Sequence, residues 1–360
     1  MSDDQVRKIR QDCLNSLNLQ PDLARRLAQH RIAIIGGTGF VGTWIAETVA
    51  ALNDEMDGQI RLDLLGRSVS EWCAARPHLA SRCDIRLNTL DVRSGFELPR
   101  DVTLVLYAAG VADPRVHASE PFSVQETALL GMSHALAATA RLELLHRFVN
   151  ISSGLVAGEL AQRQALKESD IGLLDFTRIH NVYTELRRAA ESLVSAYASQ
   201  YRIPVCTARA FTFVGPFQAL DAPWALNNFM RDALSGQDIR LHGDGTIRRS
   251  YLYGSDVAAW LLRMLIIGTD YAVYNLGGGT PVSHAEVAEC VAQRTLPKPR
   301  LVLKTQYASN NRAYDFFPDL QLVQANLGLQ QAFDTEQSID RALQWHAQRL
   351  GVSRRIRNQF

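Results

Sequence analysis

The sequence has almost no charge imbalance: 38 lysines and arginines stand against 37 aspartates and glutamates, leaving a formal net charge of +1. No block of like charges stands out, so the electrostatic footprint of a nucleic-acid binder is missing. Its five cysteines (Cys13, Cys73, Cys83, Cys206, Cys290) are scattered, odd in number and without a close CxxC spacing. That pattern argues against a disulfide framework or a zinc site, and no metal is expected. No run reaches the ~20 apolar residues of a membrane span, and the charged start "MSDDQVRKIRQ" lacks the apolar core of a signal peptide. A soluble, cytoplasmic protein with neither nucleic acid nor membrane as partner is the expectation.

What is present is apolar content: 47% of 360 residues is enough for one large core or two smaller ones. Residues 1–30 read as a polar helical extension, with Val6, Ile9, Leu14 and Leu17 as its apolar positions, packing on the main domain or on a partner. Then come "RIAII", "IRLDLLG", "DIRLNTL", "VTLVLYAAG", "HRFVNISSG", "IPVCTARAF" and "AVYNLGG", with helix-like stretches such as "PFSVQETALLGMSHALAATARLELL" between several of them. Strands alternating with helices predict an α/β, Rossmann-type doubly wound parallel sheet. Residues 31–210 are assigned to it. From Phe211 the texture becomes rich in turn residues, and 211–360 is read mainly as a smaller, discontinuous substrate lobe, with about 251–280 returning to the first domain. "RTLPKPRLVLKTQ" reads as a short linker before a strand.

Gly36, Gly39 and Gly42 form G-x-x-G-x-x-G between the first strand and its helix. Such glycines permit a tight turn, close approach of backbone to a pyrophosphate, and close helix packing, while the helix N-terminus offers free N–H donors. The second strand ends without the carboxylate that would hold a ribose 2′-hydroxyl; Gly66, Arg67 and Ser68 stand there instead. A guanidinium can hold a 2′-phosphate, which favours NADP over NAD; the other reading makes Arg67 a solvated loop residue. In "RIHNVYTELRRAAES", Tyr183 and Arg187 lie four residues apart on a predicted helix and so share a face. Arg187 could equally pair with Glu191.

The motifs "GGTGFVG", "LDV", "YAAG", "NISSG", "YTELRRAAE", "RAFTFVGP", "NNFM", "RRSYLYGSDVA" and "FFPD" together resemble those of the extended short-chain dehydrogenase/reductases, in the NAD-dependent epimerase/dehydratase group that acts on nucleotide sugars. The likeness runs over about residues 31–330. It implies a cofactor site at Gly36, Thr38, Gly39, Phe40, Val41, Gly42, Arg67, Asp91, Val92, Ala108 and Ala109. It also implies a catalytic Ser153, Tyr183 and Arg187, the last two touching cofactor as well, with Arg187 in place of the lysine of YxxxK. Tyrosine's ordinary pKa is about 10, so a neighbouring cation is needed to favour the phenolate. Arginine supplies one, though its fork is bulkier and does not relay protons at neutral pH. Tyr107, Ala128, Ala157 and Thr212 are further departures from the family pattern.

The same likeness implies that Ser153, Asn228, Arg249 and Arg312 contact a nucleoside-diphosphate sugar, arginine being suited to phosphate. Without it, Arg248 and Arg249 read as an exposed basic turn. Gly154 and Leu155 follow Ser153 where 4,6-dehydratases carry an acid and a base, so dehydration is not expected and neither is decarboxylation. The expected activity is redox at the sugar C4, as epimerase or 4-ketoreductase in polysaccharide or glycoconjugate synthesis. A dinucleotide-binding scaffold or sensor is the alternative, and a homodimer through the two long helices is expected.

Overall fold

The computed structural model describes residues 1–158, 164–304 and 314–357. Its strands are β1 Arg31–Ile35, β2 Arg61–Gly66, β3 Ile85–Thr89, β4 Leu104–Tyr107, β5 Arg147–Ser153, β6 Val205–Ala210, β7 Thr212–Val214, β8 Ile239–His242, β9 Arg248–Arg249, β10 Tyr251–Tyr253, β11 Val273–Leu276, β12 Val282–Ser283 and β13 Leu301–Lys304. Seven of them form one parallel sheet in the order β3-β2-β1-β4-β5-β6-β11.

Burial on both faces explains why these strands read as nearly continuous apolar runs. In β1 the period of two is strict: Ile32 and Ile34 join Leu62, Leu64, Leu104 and Leu106 under helix α3 (Phe40–Glu55) and the helix Gly254–Ile267. Ala33 and Ile35 face the other way, joining Val105, Tyr107 and Phe148 against Gly131–Thr139 and Ile179–Tyr201. Because β1 has β2 on one side and β4 on the other, chain direction across the sheet reverses there. Ligand crevices of such folds open at that switch point, beyond the carboxyl ends of the strands.

The N-terminal helices α1 (Asp3–Asn18) and α2 (Leu23–Leu27) lie on the first of these layers, with Cys13, Leu17, Leu23 and Leu27 fully buried. Polar contacts fasten them: the Tyr253 hydroxyl donates to Asp12 (2.7 Å), Arg341 Nε donates to Asp12 (2.7 Å), and Ser16 donates to Asp256 (2.8 Å). The Asp256 carboxylate also accepts from the Ala332 and Phe333 amides. Burial pushes its pKa up to about 6.

A second core, around Leu226, Phe229, Met230, Leu241, Val291 and Leu343, supports the other lobe. It carries the pairs β8–β13, β9–β12 and β7–β10, and the helices Ala225–Leu234, His284–Gln293 and Thr335–Arg349. The predicted helix over 121–145 is interrupted: Pro121–Gln125 leads into a π-helical turn, Glu126–Leu130, before Gly131–Thr139 resumes. The buried Tyr107 hydroxyl donates to the Thr127 carbonyl within that turn, at 2.9 Å. Among the described residues, no helix is long and apolar enough to cross a membrane.

Candidate active site

At the switch point a cleft of about 220 Å³ opens. Gly36, Thr38 and Gly39 form its floor, Arg67 and Asp91–Val92 one end, and Ala108–Val111 the far wall. Gly36 adopts φ +91°, and a Cβ there would lie 2.6 Å from the Ala109 nitrogen, so only glycine lets the loop sit against the end of β4. Gly39 caps α3 without any side-chain bond, leaving the first amides of a 16-residue helix aimed at the cleft. A cradle that a methyl group would fill, beside free N–H donors, fits a dinucleotide pyrophosphate.

Of the predicted cofactor residues, Phe40, Val41, Gly42, Tyr183 and Arg187 stay outside this lining. Phe40 stacks on Phe213 (6.2 Å between centroids), Val41 packs into the core, and a Cβ on Gly42 would strike the Gly37 carbonyl oxygen at 2.2 Å. Gly42 thus serves helix-to-turn packing. Arg67 is exposed in the cleft lining, at the end that also holds Asp91. Asp91 is engaged by Arg93 (2.6 Å), whose hydrogen bond holds its pKa down at about 2.

Ser153 ends β5 and Tyr183 and Arg187 lie on Ile179–Tyr201, two elements packed side by side. Ser153 Oγ accepts the Leu155 amide hydrogen (3.2 Å) and so caps the short 3₁₀ turn Gly154–Ala157, which leaves its own O–H free to donate. Arg187 Nε donates to Tyr183 Oη at 3.0 Å, and Nη1 donates to the Ile151 carbonyl at 3.4 Å. Its Nη2 lies so close to Gly110 that a Cβ there would approach to 2.2 Å. The guanidinium is buried, yet no carboxylate among the described residues pairs with it. Glu191, the other i+4 candidate, is taken by Arg209 at 2.8 Å.

A second arginine behaves alike in the other lobe. Arg248 pairs with Asp315 (2.9 Å), but Arg249 is half-buried, lies over Tyr314 and Phe316, and donates through Nη1 to the Arg248 and Tyr314 carbonyls. Its Nε and Nη2 have no protein acceptor among the described residues, and burial lowers its pKa. Beside it, burial and then the Arg249 charge push His284 down to about 4. Asn228, on Ala225–Leu234, accepts from Arg231 at 2.7 Å. Arg312 lies outside the described residues.

Seven lining residues were not anticipated as cofactor contacts: Gly110, Val111, Leu65, Gly66, Ser68, Leu90 and Thr127. The run "YAAGV" after a strand carried the signal for the first two. His117 was missed as well. Its ring stacks on Tyr183 with centroids 4.2 Å apart and planes at 11°.

The NAD dependent epimerase/dehydratase family model matches residues 32–277. This chain belongs to that family. The trifunctional UDP-glucose 4,6-dehydratase/UDP-4-keto-6-deoxy-D-glucose 3,5-epimerase/UDP-4-keto-L-rhamnose-reductase of Arabidopsis thaliana is 30% identical over 57% of the chain, which spans 30% of that relative. UDP-glucuronic acid decarboxylase 3 of the same plant is 26% identical over 79% of this chain and 78% of its own. The chain spans 58% of two further Arabidopsis UDP-glucuronic acid decarboxylases. Among solved structures, UDP-glucuronic acid 4-epimerase from Bacillus cereus, bound to UDP-glucuronic acid and NAD, superposes with a TM-score of 0.75 at 16% identity. That alignment covers 88% of this chain and 99% of the epimerase. The family and the Rossmann-type sheet are therefore as the motifs implied.

Proposed function

We propose that this family member carries out NAD(P)-dependent oxidoreduction at C4 of a nucleoside-diphosphate sugar, as epimerase or 4-ketoreductase, in polysaccharide or glycoconjugate synthesis. The observation that carries the reading is the Tyr183–Arg187 pair: a buried guanidinium without a carboxylate partner among the described residues, donating to a phenol oxygen beside the dinucleotide cleft. Burying such a charge is costly unless acceptors compensate it, and the Tyr183 oxygen is one of the few it has.

Tyr183 Oη takes the sugar hydroxyl's proton during oxidation and returns it during reduction. Arg187 holds the Tyr183 oxygen by its hydrogen bond and, being always protonated, leaves the proton exchange to Tyr183. Ser153, its oxygen already accepting from Leu155, donates its own hydrogen to the same sugar oxygen. A bound nicotinamide would accept the hydride and give it back. Gly154 and Leu155 supply neither acid nor base for eliminating water. The Nε and Nη2 donors of Arg249, without an acceptor among the described residues, suit the diphosphate, with Asn228 alongside. Arg67 at the end of β2 supports NADP over NAD. A cytoplasmic homodimer completes the reading.

The test is to denature the purified protein, identify any released dinucleotide by mass spectrometry, and assay a panel of nucleotide sugars with wild type and Tyr183→Phe. A bound or bindable NAD(P) is expected, with turnover falling by about 10²- to 10⁴-fold in the variant. A protein that binds neither dinucleotide, or a variant as fast as wild type, overturns the reading.

A further inference from the structure

His117 lies on the short helix Pro114–Ser119, which Asp113 caps by accepting the Arg115 amide at 2.8 Å. Its Nε2 is 2.7 Å from the Val111 carbonyl oxygen. A carbonyl only accepts, so Nε2 carries the hydrogen and donates it. The imidazole plane is thereby tied to the cleft wall, because Val111 lines the dinucleotide site. Its flat face is turned to Tyr183, ring centroids 4.2 Å apart and planes 11° from parallel. Tyr183 therefore has two restraints of different kinds. Arg187 fixes its oxygen through a 3.0 Å hydrogen bond, and His117 fixes the plane of its ring.

One restraint alone would be insufficient. Rotation about the Cα–Cβ and Cβ–Cγ bonds can swing the ring while the flexible arginine follows the hydroxyl, so a hydrogen bond at the tip does not set where the reacting oxygen points. A stacked ring bonded to the backbone does, since the phenol cannot turn out of its plane without striking the imidazole face or giving up the stack. We propose that His117 is the positioning residue for Tyr183, clamping the phenol between the wall of the dinucleotide cleft and the helix that bears it. The inference rests on the catalytic reading of Tyr183 given above. It adds to that reading a coupling: whatever displaces the Ala108–Val111 wall, a bound dinucleotide included, moves the acid/base through His117.

Two variants and two readouts test it. His117→Ala removes the stack, and His117→Phe keeps a flat ring without an imidazole. In steady-state kinetics on a substrate found with the panel above, His117→Ala is expected to lower kcat by about 10- to 100-fold with KM for the nucleotide sugar little changed, the loss typical of a misplaced reacting group. His117→Phe should recover most of it. The second readout does not depend on turnover: with 3-fluorotyrosine incorporated at position 183, the ¹⁹F resonance should shift in His117→Ala and return in His117→Phe, because it senses the stacked ring. A wild type without turnover would sink the proposed function while leaving the fluorine readout to decide the clamp. An unmoved resonance, a phenylalanine variant no better than alanine, or an alanine variant faster than wild type overturns the clamp; the last would mean that the imidazole occupies the substrate's place.

Discussion

Replacing Gly36 by alanine should damage dinucleotide binding and stability together, and the structure lets the two costs be worked out. The residue sits at φ +91°, which costs an L-amino acid about 1–2 kcal/mol. The new methyl would lie 2.6 Å from the Ala109 nitrogen and 2.7 Å from the Ala108 carbonyl carbon. Forcing a group into such closed packing costs a further 1–3 kcal/mol or so. Backbone atoms cannot swing aside like a side chain, so the strain, about 2–5 kcal/mol in all, is relieved only by parting the loop from the end of β4. That movement opens the phosphate cradle. With each 1.4 kcal/mol worth about tenfold, affinity for NAD(H) and NADP(H) should fall by about 30-fold or more. Gly243→Ala is the control: φ is +82° there, but nothing lies within 4 Å of the added carbon. It should lose about 1–2 kcal/mol of stability and no dinucleotide affinity. Isothermal titration with both dinucleotides and thermal unfolding of the three proteins provide the comparison. The reasoning fails if Gly36→Ala binds within twofold of wild type, or if it is no less stable than Gly243→Ala.

Two further outcomes follow from the buried charges. Arg249→Leu should raise KM for a nucleotide sugar by about 10- to 100-fold with little change in kcat, the worth of one charge-assisted phosphate contact, as read in steady-state kinetics; an unchanged KM would return Arg249 to the basic-turn reading. Asp256 has a folded pKa of about 6 against an ordinary value of 3.8, so between those values the folded protein holds a proton that the unfolded chain has released. Its contribution therefore falls as pH rises through this window, by about 3 kcal/mol in all. His284 and His346, both pushed down to about 4, act oppositely, losing stability as pH falls from the ordinary histidine value of 6.5. Comparing chemical denaturation of wild type and Asp256→Asn from pH 4 to 7 isolates the aspartate: the variant should gain stability relative to wild type as pH rises. A difference that does not change with pH would refute the assignment.

The sheet was legible because its central strands are buried on both faces and so read as apolar runs, as in "RIAII" and "VTLVLYAAG", while the edge strand β3 is largely exposed. The glycine spacing located the cleft for a similar reason, since Gly36 answers a steric demand that no other side chain meets. Spacing could not divide the glycines by role. Gly42 packs against Gly37, and the side chains of the neighbouring Phe40 and Val41 are taken up in packing, leaving only their backbone amides at the N-terminus of α3. Helix periodicity likewise ran through 121–145 without sensing the π-helical turn, where the Tyr107 hydroxyl reaches Thr127 from another element. The ambiguous arginines were settled by partners far away in the chain: Asp315 takes Arg248, and Arg209 takes Glu191 from Arg187. His117 lies in a polar stretch with no motif of its own, and nothing local reveals that its ring meets Tyr183.

The bond between Asp12 and Arg341 joins residues 329 positions apart. A protein emerges from the ribosome N-terminus first, so α1 must wait for a further 329 residues to be made before its carboxylate meets that guanidinium. Closing so long a loop is entropically slow but adds little with each further residue, since the cost grows only as the logarithm of length. The apolar face of α1, with Ile9, Cys13 and Leu17, stays uncovered until α3 and then Gly254–Ile267 have been made. Nascent chains arrested before Gly254–Ile267 has emerged should therefore hold α1 loosely, as a helix that proteases and chaperones can still reach, and chains released past it should not.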